Sequence, residues 1–149
     1  MIIKSEIEDS ELLTNIALTS KAYWGYSKEQ VENWRNDLTI TPKMIENMMI
    51  YKFIVNHKTA GFYALNQPKG NSIELEMLFI LPEFIGQRIG KKLLQHSIKK
   101  SKELKADTMT LLADPNAVDF YKSQGFKIID KKESSIPNRF LPIMQKYLT

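Results

Sequence analysis

Apolar positions recur along this chain with two different periods. Near the start they fall at helical spacing. Leu12, Leu13, Ile16, Ala17 and Ala22 predict a helix capped by Asp9 or Ser10 and ended at Gly25. Ser27 reads as a second cap, and Gln30, three residues on, can close a capping box for a helix carrying Val31 and Trp34 to about residue 37. Thr41-Pro42 opens a further helical turn through Met44, Ile45 and Met48. From residue 49 the period changes. Ile50, Tyr51, Phe53, Ile54 and Val55 form a β-rich run, and Asn56-His57-Lys58-Thr59 reads as a hairpin turn. Residues 60–66 form the next strand and Gln67-Pro68-Lys69-Gly70-Asn71 the next turn; 72–81 form another strand, stopped by Pro82. These three runs predict an antiparallel meander.

The second half alternates strand and helix. Residues 86–104 predict a long helix with Ile89, Leu93, Leu94 and Ile98 on one face and lysines on the other. Residues 108–113 are a strand. Asp114-Pro115 is a strong helix start, with Asp as N-cap and Pro at the first helical position. Gly125 ends that helix, 126–130 is again a strand, and 140–148 supplies a last one after a polar loop. With a short strand at 1–4, the chain predicts an α/β fold. It has a mixed, mostly antiparallel central sheet of about seven strands, with helices on both faces. No repeat, low-complexity tract or linker divides it, so residues 1–149 are expected to form a single domain.

Composition narrows the chemistry. The apolar fraction of 43% and charged fraction of 26% suit a globular protein with a real core. Without cysteine, disulfides, zinc-thiolate sites and thiol nucleophiles are excluded. The first residues lack the layout of a signal peptide, and no apolar run approaches the roughly 18 residues that span a bilayer, so a cytoplasmic location and no membrane partner are expected. The net charge of +4 fits either a solvated, mildly basic surface or attraction to an anion such as a polyphosphate cofactor. The lysines of the long helix are not interleaved with aromatics, which argues against a nucleic-acid surface; a basic nucleic-acid binder is the weakest reading. No residues have metal-ligand spacing, so no metal is expected, and His57 and His96 read as surface residues.

Three elements could carry a reaction. The turn from Pro82 to Lys91 precedes a helix whose first amides are unpaired and partly positive. A pyrophosphate can accept bonds from them where glycine lets it approach, here at Gly86 and Gly90, with Arg88 and Lys91 adding charge. Gly86 as a plain loop residue and Gly90 as a close helix–sheet contact explain the same residues equally well. Phe120-Tyr121 is the second element. The two sit about 100° apart on a helix, so both cannot point inward; Phe120 is expected in the core, leaving the Tyr121 phenol to donate a proton or simply to reach the surface. The third is Glu74 and Glu76, which at period two share a face with Leu78 and Ile80; one could accept a proton from an attacking amine, unless that face is open to solvent.

The segment Glu74-Leu75-Glu76-Met77-Leu78-Phe79-Ile80-Leu81-Pro82 through Gly90, followed by Asp114 through Phe126, resembles the core of the GNAT-type N-acetyltransferases. The clear similarity covers about a third of the chain, and the element order extends it to the whole. The second motif is the more specific: an Ala, Phe-Tyr three residues on, and Gly-Phe four after the Tyr. The resemblance implies the acyl-CoA N-acyltransferase fold, acetyl-CoA as acetyl donor, and an amine on a small molecule or peptide as acceptor. The pyrophosphate contact falls on Ile85, Gly86, Gln87, Arg88, Ile89, Gly90 and Lys91, and the pantetheine arm pairs with Leu78, Phe79 and Ile80. Asn116 and Phe120 would also touch the cofactor. Tyr121 matches the acid, and Glu76, or second to it Glu74, the base. The acceptor would meet Trp24, Tyr26, Trp34 and Arg139, with the loop before residue 140 closing over it. A homodimer is common in such families.

Three positions depart from the family pattern. Ile85 stands where Gln or Arg is usual, and Arg88 stands at the middle glycine; Asp114 replaces a common Asn. The altered turn leaves room for a second class of function, a non-catalytic acyl-CoA sensor or protein-interaction module on the same fold.

Overall fold

The computed structural model describes residues 1–134 and 140–148. β1 (Ile2–Lys4), β2 (Met49–Val55), β3 (Lys58–Leu65), β4 (Ser72–Ile80), β5 (Thr108–Leu112), β6 (Lys127–Glu133) and β7 (Phe140–Tyr147) make one seven-stranded sheet. Their spatial order is β1-β2-β3-β4-β5-β7-β6. Among the described residues β4 and β5 form the one parallel pair, and all other neighbours are antiparallel. A parallel pair needs a crossover, which α5 (Ile89–Glu103) supplies. The β2–β3 hairpin turns on Asn56 and His57, both at positive φ (49° and 67°), the backbone that matches the twist of the flanking strands.

The sheet separates two cores. On one face α1 (Ser10–Ala22), α3 (Arg35–Leu38) and α4 (Pro42–Asn47) bury Leu13, Ile16, Leu38 and Ile45 against Ile50, Phe62 and Met77. On the other, α5 and α6 (Val118–Ser123) bury Leu93, Leu94 and Tyr121 against Tyr63, Leu75, Met109 and Met144. The Ser27–Gln30 capping box forms and starts α2 (Lys28–Asn33). The helix expected to reach residue 37 breaks at Trp34 (ψ 0°), whose ring packs edge-on against Tyr26 at 4.8 Å.

Two expectations about side-chain direction are corrected. Glu74 and Glu76 do not keep a common face with Leu78 and Ile80. The β3–β4 register shifts, Ala64 facing Met77 and Leu65 facing Leu75, so Glu76 is the extra residue of a β-bulge. Leu78 and Ile80 therefore pack in the same core as Ile73 and Leu75. His96 is not a plain surface residue: it is half-buried, and its Nδ1 lies 2.7 Å from the hydroxyl of buried Tyr63. Burial and the charges of Lys100 and Lys99 lower its pKa.

Candidate active site

The parallel pairing of β4 and β5 runs from Ser72–Thr108 to Leu75–Leu111 and then stops. Beyond it β4 stays with β3 as far as Ile80, while the end of β5 follows β7 through Leu112–Ile143. The divergence begins at the Glu76 bulge, a feature that bends a strand and increases its twist. The wedge between the strands opens into a cavity of about 670 Å³, whose walls include Glu76 to Ile80 on one side and Leu111 to Asp114 on the other.

The turn into α5 forms one end of this cavity. Gly86 has φ 91° and Arg88 φ 63°, both left-handed, before the helix begins at Ile89. The long helix thus starts three residues later than expected, and its first residues, Ile89, Gly90 and Lys91, line the cavity. A Cβ on Gly86 would meet nothing within 4 Å, so the backbone is open to approach. A Cβ on Gly90 would lie 3.7 Å from Ile80 and Phe120, an ordinary contact, so close helix–sheet packing does not by itself demand glycine there. Ile85, Gly86, Arg88, Ile89, Gly90 and Lys91 line the cavity; Gln87 does not. Arg88 stands in the left-handed backbone shape that a glycine adopts freely.

Tyr121 also lines the cavity. The expected arrangement of the Phe120-Tyr121 pair is reversed: Tyr121 is buried at 8% exposure, and Phe120 is only half-buried. The Tyr121 ring packs edge-on against Phe120 and Phe126 at 5.2 and 5.6 Å. Both Phe120 and Tyr121 nevertheless border the cavity. Burial, and secondarily the negative charge of Asp114, pushes the Tyr121 phenol well above its ordinary pKa, so it holds its proton throughout the neutral range.

The β5 end leads into a polar cluster for which the separate residues carry no local signal. Asp114 Oδ2 lies 2.5 Å from Lys21 Nζ and 3.0 Å from the Tyr26 hydroxyl; Oδ1 accepts from the Asn116 backbone and Nδ2, each at 2.9 Å. Lys21 Nζ also sits 5.5 and 5.3 Å from the ring centres of Tyr26 and Trp34. Burial works to raise the Asp114 carboxyl, but the bonds from Lys21, Asn116 and Tyr26 outweigh it and leave the group below the usual carboxylate range. Tyr26 and Trp34 thus back this cluster instead of lining the cavity, whereas Trp24, Ser20 and Lys21 do line it. Asn116 borders the cavity, though its Nδ2 is shared by Asp114 and Tyr26 (3.3 Å). Arg139 and the closing loop lie outside the described residues.

Of the two candidate bases, Glu76 lines the cavity and Glu74 does not. The two are joined by Asn66, whose Nδ2 donates to Glu74 Oε1 and Glu76 Oε2 at 2.8 Å each.

Glu76, Leu78 to Ile80, the glycine-bearing start of α5, Asn116 and the Phe120-Tyr121 pair all line this one cavity. The family model for the GNAT acetyltransferase domain matches residues 24–146. The chain belongs to the GNAT acetyltransferase family. It is 32% identical over 78 residues to an uncharacterized N-acetyltransferase, ycf52, of Pyropia yezoensis, a match covering 52% of this chain and 45% of that relative. The chain thus spans less than half the length of that relative. Among solved structures it resembles the PaiA N-acetyltransferase of Thermoplasma acidophilum in complex with coenzyme A, with TM-score 0.84, 26% identity, and 99% and 98% of the two chains covered. A GCN5-related N-acetyltransferase from Rhodopseudomonas palustris shares the fold at TM-score 0.83 and 21% identity, covering 99% and 95%. Among the described residues of this GNAT chain, no helix is long and apolar enough to cross a membrane.

Proposed function

We propose that this chain transfers an acetyl group from acetyl-CoA to a primary amine by direct attack in a ternary complex. The observation that carries the reading is one cavity lined together by the start of α5, by β4 beyond its last pair with β5 at Leu75, and by Tyr121. The amides from Gly86 to Gly90, with Arg88 and Lys91, suit a diphosphate. The free backbone edge of Leu78 to Ile80 suits the amide groups of a pantetheine arm, and the Asn116 side-chain carbonyl is a further acceptor. A coenzyme A complex of the similar PaiA protein supports this assignment.

In this reading β4 amides face the thioester carbonyl and stabilise the charge that develops on its oxygen. Orientation of both reactants in the wedge supplies much of the rate. Glu76 takes a proton from the acceptor ammonium, and Tyr121 gives its proton to the departing sulfur. The acceptor enters beside Trp24 and Ser20, and it is a small molecule or a peptide.

The test has two parts. Acetyl-CoA and CoA should each raise the melting midpoint, since a ligand at 100 times its dissociation constant stabilises the native state by about 2.7 kcal/mol. Thiol release from acetyl-CoA across a panel of amines should then reveal turnover. Binding without release on any amine would replace the enzyme by an acyl-CoA sensor; no binding at all would remove both.

A further inference from the structure

The β3–β4 bulge brings Asn66 and Glu74 together with the proposed base, Glu76. Asn66 follows β3 directly, and its backbone N–H donates to the Glu74 carbonyl at 3.0 Å. Its side-chain nitrogen donates to both carboxylates at 2.8 Å, so the two accepting oxygens lie no further apart than twice that distance. A regular strand would not hold Glu76 in this way. As the extra residue of the bulge it is swung toward the cavity, and Asn66 fixes it there while holding Glu74 beside it.

We propose that Asn66 is a positioning residue that fastens Glu74 and Glu76 into one proton-accepting unit, with Glu76 presented to the acceptor amine. This inference rests on acetyl transfer at the cavity. Two carboxylates held this close bind the first proton more readily than either would alone, because protonation relieves their repulsion. Glu74 shows the effect: burial, and next the charge of Glu76, lift its pKa above the ordinary value, against the pull of Asn66 and of Lys69 from the β3–β4 turn. Among the described residues, the other charged groups that line the cavity with Glu76 are the paired Lys21 of α1 and Asp114 at the end of β5, and Arg88 and Lys91 at the start of α5. The protons balance simply. The acceptor ammonium gives one proton to the pair and thence to water. The C–N bond forms as the C–S bond breaks and Tyr121 protonates the sulfur. The second nitrogen proton restores the phenol. The products are the amide, the thiol and one released proton.

The experiment compares wild type, Glu74→Gln, Glu76→Gln and Asn66→Ala with one amine. Glu74→Gln removes the neighbouring negative charge and should therefore move the acid limb of kcat/KM to lower pH while KM for acetyl-CoA holds. Asn66→Ala should lower kcat several-fold, and a purely structural role for either residue would leave the limb in place. Carboxyl NMR titration reads the same pairing without turnover: Glu74 should titrate above an ordinary glutamate and fall back in Glu76→Gln. A Glu74 that titrates alike in both proteins overturns the inference whatever the activity assay gives. An unmoved acid limb in an active Glu74→Gln enzyme overturns it too and leaves acetyl transfer standing. Failure of thiol release in wild type is the separate failure of the enzyme reading.

Discussion

Arg88 offers a way to separate what a backbone does from what a side chain does. It stands immediately before α5 with φ 63° and ψ 16°, where an L-residue is strained by roughly 1–2 kcal/mol. Glycine at this position removes that strain but brings back about 0.5–1 kcal/mol of unfolded-state entropy. Arg88→Gly should therefore be slightly more stable than wild type, by about 0.5–1 kcal/mol. For a chain of this length that raises Tm by roughly 1–4 °C. Arg88→Ala keeps the strained backbone and loses the guanidinium, so it should show no gain. Both variants lose a cation beside the α5 amides, and both should weaken acetyl-CoA binding several-fold, an effect that shrinks at high salt. Arg88→Lys should largely keep the affinity. Scanning calorimetry and titration calorimetry at two salt concentrations read the two quantities independently. A lower Tm for Arg88→Gly, or affinity that falls in Arg88→Ala but not in Arg88→Gly, would refute the division drawn here.

Three further outcomes are expected. Tyr121→Phe should cut turnover by about 10²–10⁴-fold, the usual cost of losing an acid, with acetyl-CoA affinity retained; steady-state kinetics beside a binding titration checks it. Asp114→Asn should cost on the order of 1–3 kcal/mol at neutral pH through its lost charged hydrogen bonds. Because the folded carboxyl has the lower pKa, its contribution is present above the unfolded value near 3.9 and is lost as pH falls through the folded value. Melting curves of wild type and variant should hence converge in acid; a constant gap would contradict the assignment. Gly61→Ala should destabilise by about 1–3 kcal/mol in a denaturant titration, since its Cβ would lie 2.5 Å from the Phe79 carbonyl across the β3–β4 pair that forms one wall of the wedge.

Much of this molecule is legible in the order of residues because the signals are local. Period and punctuation place the strands, the two-residue turn at Asn56-His57 and the box at Ser27–Gln30, and each depends on groups only a few positions apart. Gly86 and Gly90 at the start of α5 and the Phe-Tyr pair are visible for the same reason. Which of that pair turns inward is not. Helical geometry separates Phe120 from Tyr121, but the packing of Phe126 and the shape of the wedge decide that the phenol is buried and still borders the cavity. The direction of Glu76 depends on one extra residue in β4, and a single-residue register shift leaves no trace in an alternating pattern. Lys21 and Asp114 are 93 positions apart and Asn66 and Glu76 are 10. Neither contact follows from spacing, because each exists only where the sheet brings separate strands and helices to one edge. Local periodicity determines the elements and their chemistry, while the bulge and the divergence of β4 from β5 decide which of those groups meet.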